Sequence, residues 1–251
     1  GTVCIVDPAS LPHESTIGEF VTAILFSLQT IYKRKLFIFR GTPTLEFGNR
    51  CAAPDFSFYV NRELIRSKFI VPNYGEIPTI IGEVAYSQSL DSLLKKSQQY
   101  IQDLSADIVI AVKVPKPTIV KEESDDEIEK LTIAKGELEA KLEKPAKTKG
   151  KLEAPTEVYL YIFYKNVLEP EPITVPFGQE FTFQLRIDAL ERKIRKKLRA
   201  ELQHQSDSID VTILLEKNTI FSPEILDPDA RQPETSESEN SESERSKSNS
   251  K

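Results

Sequence analysis

The chain has 251 residues, 39% hydrophobic and 29% charged, with a net charge of −6 and a pI near 5.3. That is one large domain or two small ones with an ordinary core, and the bulk charge does not announce a nucleic-acid binder, although acidic appendages can hide a basic groove. No run approaches the ~20 apolar residues of a membrane span, which argues against a membrane partner, and the lack of a glycine-rich phosphate loop leaves an ATPase or kinase without support.

The first patterned region runs from about Leu11 to Val114. In "LPHESTIGEFVTAILFSLQTIYKR" the residues Ile17, Phe20, Val21, Ile24, Leu25, Leu28 and Ile31 recur at helical spacing, so a helix with one wide buried face is predicted. "LFIFRG" and "TPTLEFG" read as a hairpin of two short strands around Gly41. "APDFSFYV" is a strand, and "TIIGEVAYS" is a continuous apolar run with one acid, as a central strand looks. "SLDSLLKKSQQYIQDL" places Leu90, Leu93, Leu94, Ser97, Tyr100, Ile101 and Leu104 on one helical face, with Ser87 and Ser89 as candidate caps and Asp91 in the first turn. "ADIVIAVKV" is a second central-type strand.

Residues 115–155 are rich in Lys, Glu and Pro and cannot bury enough apolar surface to offset ordering, so they read as a charged, disordered insertion. "EVYLYIFYKN" resumes as a strong strand that can pair beside Ala106 to Val114, with the insertion looping out between them. "EFTFQLRID" and "SIDVTILLE" are further strands, and "ALERKIRKKLRAELQ" is a basic helix. Its run from Arg192 to Leu202 reads as a helix with a solvated basic face, or as a phosphate-backbone contact or nuclear targeting signal. Residues 217–251 form an acidic Ser/Glu-rich disordered tail. The expectation is a single α/β domain over 11–216: a central mixed sheet flanked by helices, in helix–strands–helix–strand order.

The two cysteines, Cys4 and Cys51, lack CxxC spacing or a neighbouring His, so no disulfide framework or zinc site is expected and a reducing compartment fits. The implied location is intracellular, cytoplasmic or nuclear. The chain opens on Gly1 and contains no Met, so it reads as a trimmed or fragmentary product.

Two acids stand on otherwise apolar strands: Asp55 after Pro54, and Glu83 inside "IIGEVAYS". A buried, unpaired carboxylate costs several kcal/mol, so each needs a partner. A divalent cation is one solution, taking both carboxylates and the backbone carbonyl of Val84, and its water would attack a phosphodiester. The plainer reading makes Asp55 a turn residue and Glu83 solvent-facing. Glu14 shares a face with Ile17, Val21 and Leu28, and is either one more acid toward the sheet or a charge favoured by the helix dipole. Gln98 and Gln99 are candidate contacts to phosphate or base; Tyr100 reads as core; His13 and His204 stand in no recognisable arrangement.

In order, "HESTIGEFVTAIL", "APDFSFYV", "PTIIGEVAYSQSLDSLLKKSQQYI" and "ADIVIAVKV" resemble the restriction endonuclease-like family of the PD-(D/E)XK nuclease superfamily, and "GEVAYSQS" most resembles its fungal representatives. The resemblance covers about Leu11 to Val114. It implies a nuclease that cuts DNA or RNA with Mg²⁺ or Mn²⁺ held by Asp55, Glu83 and Val84, an extra acid from the first helix at Glu14, and a candidate homodimer. It also implies a lysine two residues after the second acid, where this chain has Ala85. Some members restore that lysine from the following helix, which makes Lys95 and Lys96 the candidates, with the Asp91-to-Lys95 spacing closer to the family pattern. The alternatives are a degenerate member that binds nucleic acid or a protein without cleavage, and an unrelated α/β interaction domain. The last would place Asp55 and Glu83 on strands that are not neighbours.

Overall fold

The computed structural model describes residues 10–32, 36–47, 50–61, 77–121, 150–194, 202 and 206–221. Helix α1 spans Leu11–Ile31. Strands β1 (Phe37–Phe39), β2 (Leu45–Phe47), β3 (Arg50–Ala52), β4 (Phe56–Val60) and β5 (Ile80–Ala85) follow. Helix α2 (Leu90–Gln102) leads into β6 (Ile108–Lys113). The second half contains β7 (Thr118–Lys121), β8 (Gly150–Glu153), β9 (Glu157–Tyr164), β10 (Ile173–Pro176) and β11 (Glu180–Arg186). The short helix α3 (Ile187–Leu190), β12 (Ser208–Leu214) and α4 (Lys217–Ile220) complete it.

Six strands form the central mixed sheet in the order β1-β4-β5-β6-β9-β10. Its one parallel pair is β5 with β6, Ile80 opposite Ile108 through Ala85 opposite Lys113. Helix α2 makes the crossover between them, as a parallel connection requires. Strand β5 is buried along its whole length, which is why it reads as an unbroken apolar run rather than an alternating one. Successive side chains leave it on opposite faces. Ile80 and Val84 join the core beneath α1, with Phe20, Ile24 and Leu28 of the helix and Phe183, Val211 and Ile213 of the β11–β12 ribbon. Ile81 and Ala85 join a second core beneath α2, with Leu93, Tyr100, Ile101, Val109, Ala111 and Phe163. Glu83 projects on this second face.

The α/β architecture with a central mixed sheet flanked by helices is the expected one, and β9 pairs antiparallel with β6 as its pattern suggests. Three expectations need correction. The Gly41 segment is not a hairpin: β1 pairs with β4, Phe37 opposite Val60, while β2 pairs with β3. Gly41 sits at a φ of 66°, where it turns the chain out of the sheet, and β1 packs on the edge of β4, with the Phe39 and Phe58 ring centroids 5.6 Å apart. The single sheet is also wrong, since β2–β3, β7–β8 and β11–β12 are separate two-stranded ribbons. Finally, Cys51 is disulfide-bonded; two cysteines distant in sequence carry no local spacing from which a pairing can be read.

Among the described residues no helix is long and apolar enough to cross a membrane. The tail beyond residue 221, His204 and most of the charged insertion lie outside the described residues, as do residues 195–201 of the basic run. Arg192 and Lys193 of that run are described, and they are not a solvated face. Lys193 is 1% exposed; its Nζ donates to the carbonyls of Ile77 (3.0 Å) and Pro78 (2.7 Å). Asp107 Oδ2 lies 3.0 Å from that ammonium, although no donor is aligned on the oxygen, and Arg192 Nη1 lies 3.4 Å from Oδ1. Desolvation lowers the Lys193 pKa against the opposing pull of Asp107.

Candidate active site

Strands β4 and β5 are antiparallel neighbours, with Phe56 opposite Gly82. Asp55 therefore arrives one residue before β4, beside the middle of β5, and its own N–H donates to the Gly82 carbonyl at 3.0 Å. Its side chain continues the pairing where the strand has not begun: Oδ2 accepts the N–H of Val84 at 2.6 Å. The N–H and C=O of a strand residue face the same edge, so the Val84 carbonyl also faces the Asp55 side. Asp55 and the Val84 carbonyl thus share one edge of β5, and the strand that follows Asp55 is the direct neighbour of the strand that carries Glu83.

Glu83 is 2% exposed, and both of its oxygens are engaged by α2. Lys96 Nζ donates to Oε2 at 2.8 Å, and the Tyr100 hydroxyl donates to Oε1 at 2.5 Å. Lys96 and Tyr100 are four residues apart, hence one above the other on the helix. Ser89 caps that helix by accepting the Ser92 N–H, which fixes where its first turn begins and so where Lys96 falls. Burial pushes the Glu83 carboxyl up to about 7; Lys96 pulls it back down, and the nearby Asp55 adds to the rise. Burial first, then the charge of Glu83, raises the Tyr100 phenol far above its usual value, so it stays a donor.

Of the two candidate lysines, the structure brings Lys96 to Glu83 and leaves Lys95 exposed. The Asp91-to-Lys95 spacing favours the other residue, but the register of α2 on the sheet is set by Leu93, Ser97 and Tyr100, all buried, and this face carries Lys96. Glu14 is not brought to Glu83. It is exposed, and its Oε1 lies 3.2 Å from His13 Nδ1. Gln98 donates to the Leu168 carbonyl at 3.0 Å and so is committed within the protein.

His13 is the site residue that sequence reasoning missed. It sits in the first turn of α1, and its Nε2 lies 3.2 Å from Asp55 Oδ2. The hydrogen bond to Asp55 raises its pKa, against the opposing effect of burial. The only signal was its place near the start of a helix; its partner stands 42 positions downstream, and nothing local joins them. Asp55, Glu83, Lys96, Tyr100 and His13 thus form one cluster across β4, β5, α1 and α2. Among the described residues no group of three or more His, Cys, Asp and Glu side chains is placed to hold a metal ion. The oxygen donors gathered here are two carboxylates and a carbonyl, a sparse set of the kind Mg²⁺ takes, since it keeps most of its waters and leans on substrate phosphates.

No protein-family model matches the chain, and no curated protein matches it. A solved structure from Anabaena variabilis, described as a putative nuclease belonging to DUF820, is similar at 14% identity and a TM-score of 0.33, over 68% of this chain and 69% of that one. That similarity assigns no residue and no activity here.

Proposed function

We propose that the chain is a metal-dependent nuclease that hydrolyses phosphodiester bonds in DNA or RNA, with Mg²⁺ or Mn²⁺ held by Asp55, Glu83 and the Val84 carbonyl. The observation that carries this reading is a buried carboxylate, Glu83, that meets a lysine from α2 beside a second carboxylate, Asp55, at the start of the neighbouring strand. Burial raises the Glu83 carboxyl to about 7, and perturbed carboxyls of this kind are concentrated at functional sites. When bound, the cation polarises the scissile phosphate and lowers the pKa of a water.

The chain's own residues would do the rest. The Tyr100 hydroxyl and the Val84 N–H fix the two carboxylates, so neither must reorganise when substrate arrives. His13 steadies Asp55 at the same Oδ2 that accepts the Val84 N–H. Lys96, one-third exposed, can swing its ammonium from Glu83 to a non-bridging phosphate oxygen and take the role of the lysine absent at Ala85. Glu14 acts through His13 rather than as a ligand, and Lys95 remains an exposed cation for backbone contact.

The experiment is incubation of the full chain with mixed DNA and RNA in Mg²⁺ or Mn²⁺. Cleavage is expected, with a loss of at least about a hundredfold in Asp55→Ala and Glu83→Ala; cleavage surviving Glu83→Ala would refute the site. Ala85, buried where the family carries its lysine, favours a second reading as a degenerate domain that binds nucleic acid or a protein partner without cutting. Binding with no cleavage in either metal selects it.

A further inference from the structure

Lys113 is the last residue of β6, and its register partner on β5 is Ala85. Opposite residues of a parallel pair point to the same face, so Lys113 and Ala85 both face α2, as Glu83 does. Adjacent strands lie about 4.8 Å apart and two residues along a strand span about 6.6 Å, so the Lys113 backbone is roughly 8 Å from that of Glu83. A lysine missing from β5 thus has a counterpart one strand over, on the same face and at the same level.

The ammonium of Lys113 is half-buried. It donates to the carbonyls of Tyr86 (3.1 Å) and Gln88 (2.6 Å), the residues that lead from β5 to the cap of α2. An ammonium has three N–H donors, and these two carbonyls use two. Among the described residues no carboxylate pairs with Lys113, unlike Lys96 and Lys193. Lys116, exposed three residues on, adds a second positive charge nearby. The result is a cation without an anion among the described residues at the C-terminal ends of β5 and β6, two residues along the sheet from Glu83.

Resting on the nuclease reading, we propose that Lys113 binds a phosphate of the substrate backbone, giving the site a second, strand-borne cation on the strand beside Ala85. Its two carbonyl bonds hold the stem still, and its third N–H takes the phosphate oxygen.

The test is binding of the full chain in EDTA to a short labelled DNA duplex, and to the RNA of the same sequence, by fluorescence anisotropy across a salt series. Lys113→Gln keeps an amide donor for the two carbonyls and removes the charge. It is expected to weaken binding about five- to tenfold and to lower the salt slope by about one. Lys113→Arg is expected to keep the slope. Lys165→Gln, past the end of β9 where Tyr164 pairs with the start of β6, is expected to leave it unchanged. An unchanged slope in Lys113→Gln overturns the proposal. Should that variant fail to fold, acetylation footprinting of the unaltered protein decides: nucleic acid is expected to protect Lys113 and not Lys165, and equal labelling with and without it overturns the proposal. Binding with an unaltered slope sinks this inference alone, whereas the absence of both binding and cleavage of either nucleic acid in Mg²⁺ or Mn²⁺ sinks the nuclease reading.

Discussion

A single buried acid sets the chemistry of the site and carries an energetic cost. Below pH 4.5 Glu83 holds its proton folded and unfolded alike and contributes nothing. Between 4.5 and about 7 the unfolded chain ionises first, so folding loses stability as pH rises; above about 7 the loss levels off, on the order of 3 kcal/mol. Glu83→Gln is therefore expected to gain stability over the parent between pH 5 and pH 8 by that order, read by urea unfolding in EDTA. Parallel pH dependences would sink the account. Tyr100→Phe keeps the ring in the core and removes the donor to Glu83, so a loss of about 1–3 kcal/mol is expected in the same measurement. Much of this site was legible in sequence: an acid in an apolar strand demands a partner, and a lysine-bearing helix follows at once. His13 and Lys113 were not, because each meets its partner through strand register and helix docking that no local pattern encodes.

At the scale of elements, the pairing of β4 and β5 depends on one absent methyl group. Gly82 faces Phe56 across the ladder, and a Cβ there would lie 1.9 Å from Cζ and 2.0 Å from Cε1 of that ring. The phenyl is fully buried and cannot give way. Gly82→Ala is expected to destabilise the protein by about 3 kcal/mol or more, and Phe56→Leu in the same chain is expected to recover part of it; a double-mutant cycle by thermal unfolding measures the coupling. Because the clash separates Asp55 from Val84, cleavage would fall before the fold is lost. The far end of β5 is held differently. Lys193→Met breaks the buried contact with Asp107 and frees the carbonyls of Ile77 and Pro78, and a loss of about 3–5 kcal/mol is expected in chemical denaturation. The elements themselves were readable from periodicity, since both long helices and all the central strands carry clear patterns. Which short strand pairs with which was not: β1 and β2 are both apolar runs beside a turn, and only the competing edge of β4 decides between them.

Over the whole molecule, β7 and β8 continue the β6–β9 pair outward, and their outermost register partners are Lys121 and Gly150. The ends of the intervening 122–149 segment are thus a strand spacing apart. Replacing it with a two-residue Asn-Gly turn asks no strain of the ribbon, and the shortened chain is expected to keep its melting temperature within a few degrees and its cleavage rate within about twofold. A large drop in either would show that the segment does more than connect. Composition set the charged insertion at 115–155, which is too wide: residues 118–121 and 150–153 form the β7–β8 ribbon, and because Ile119 and Val120 are exposed they leave no alternating pattern to betray it.

The packing of α1 against β12 has a consequence for the order in which the site is assembled during synthesis. The Glu83–Lys96 half of the site joins residues 13 apart in sequence and is local enough to form early. The His13–Asp55 half waits for the first helix to dock, and that helix rests on a strand made almost 200 residues later. A chain still emerging from the ribosome holds the acid and its lysine before it holds the completed centre. The complete cluster is thereby deferred until Leu214 has been translated: an emerging chain holds half of the site, and its own topology keeps it waiting for the rest.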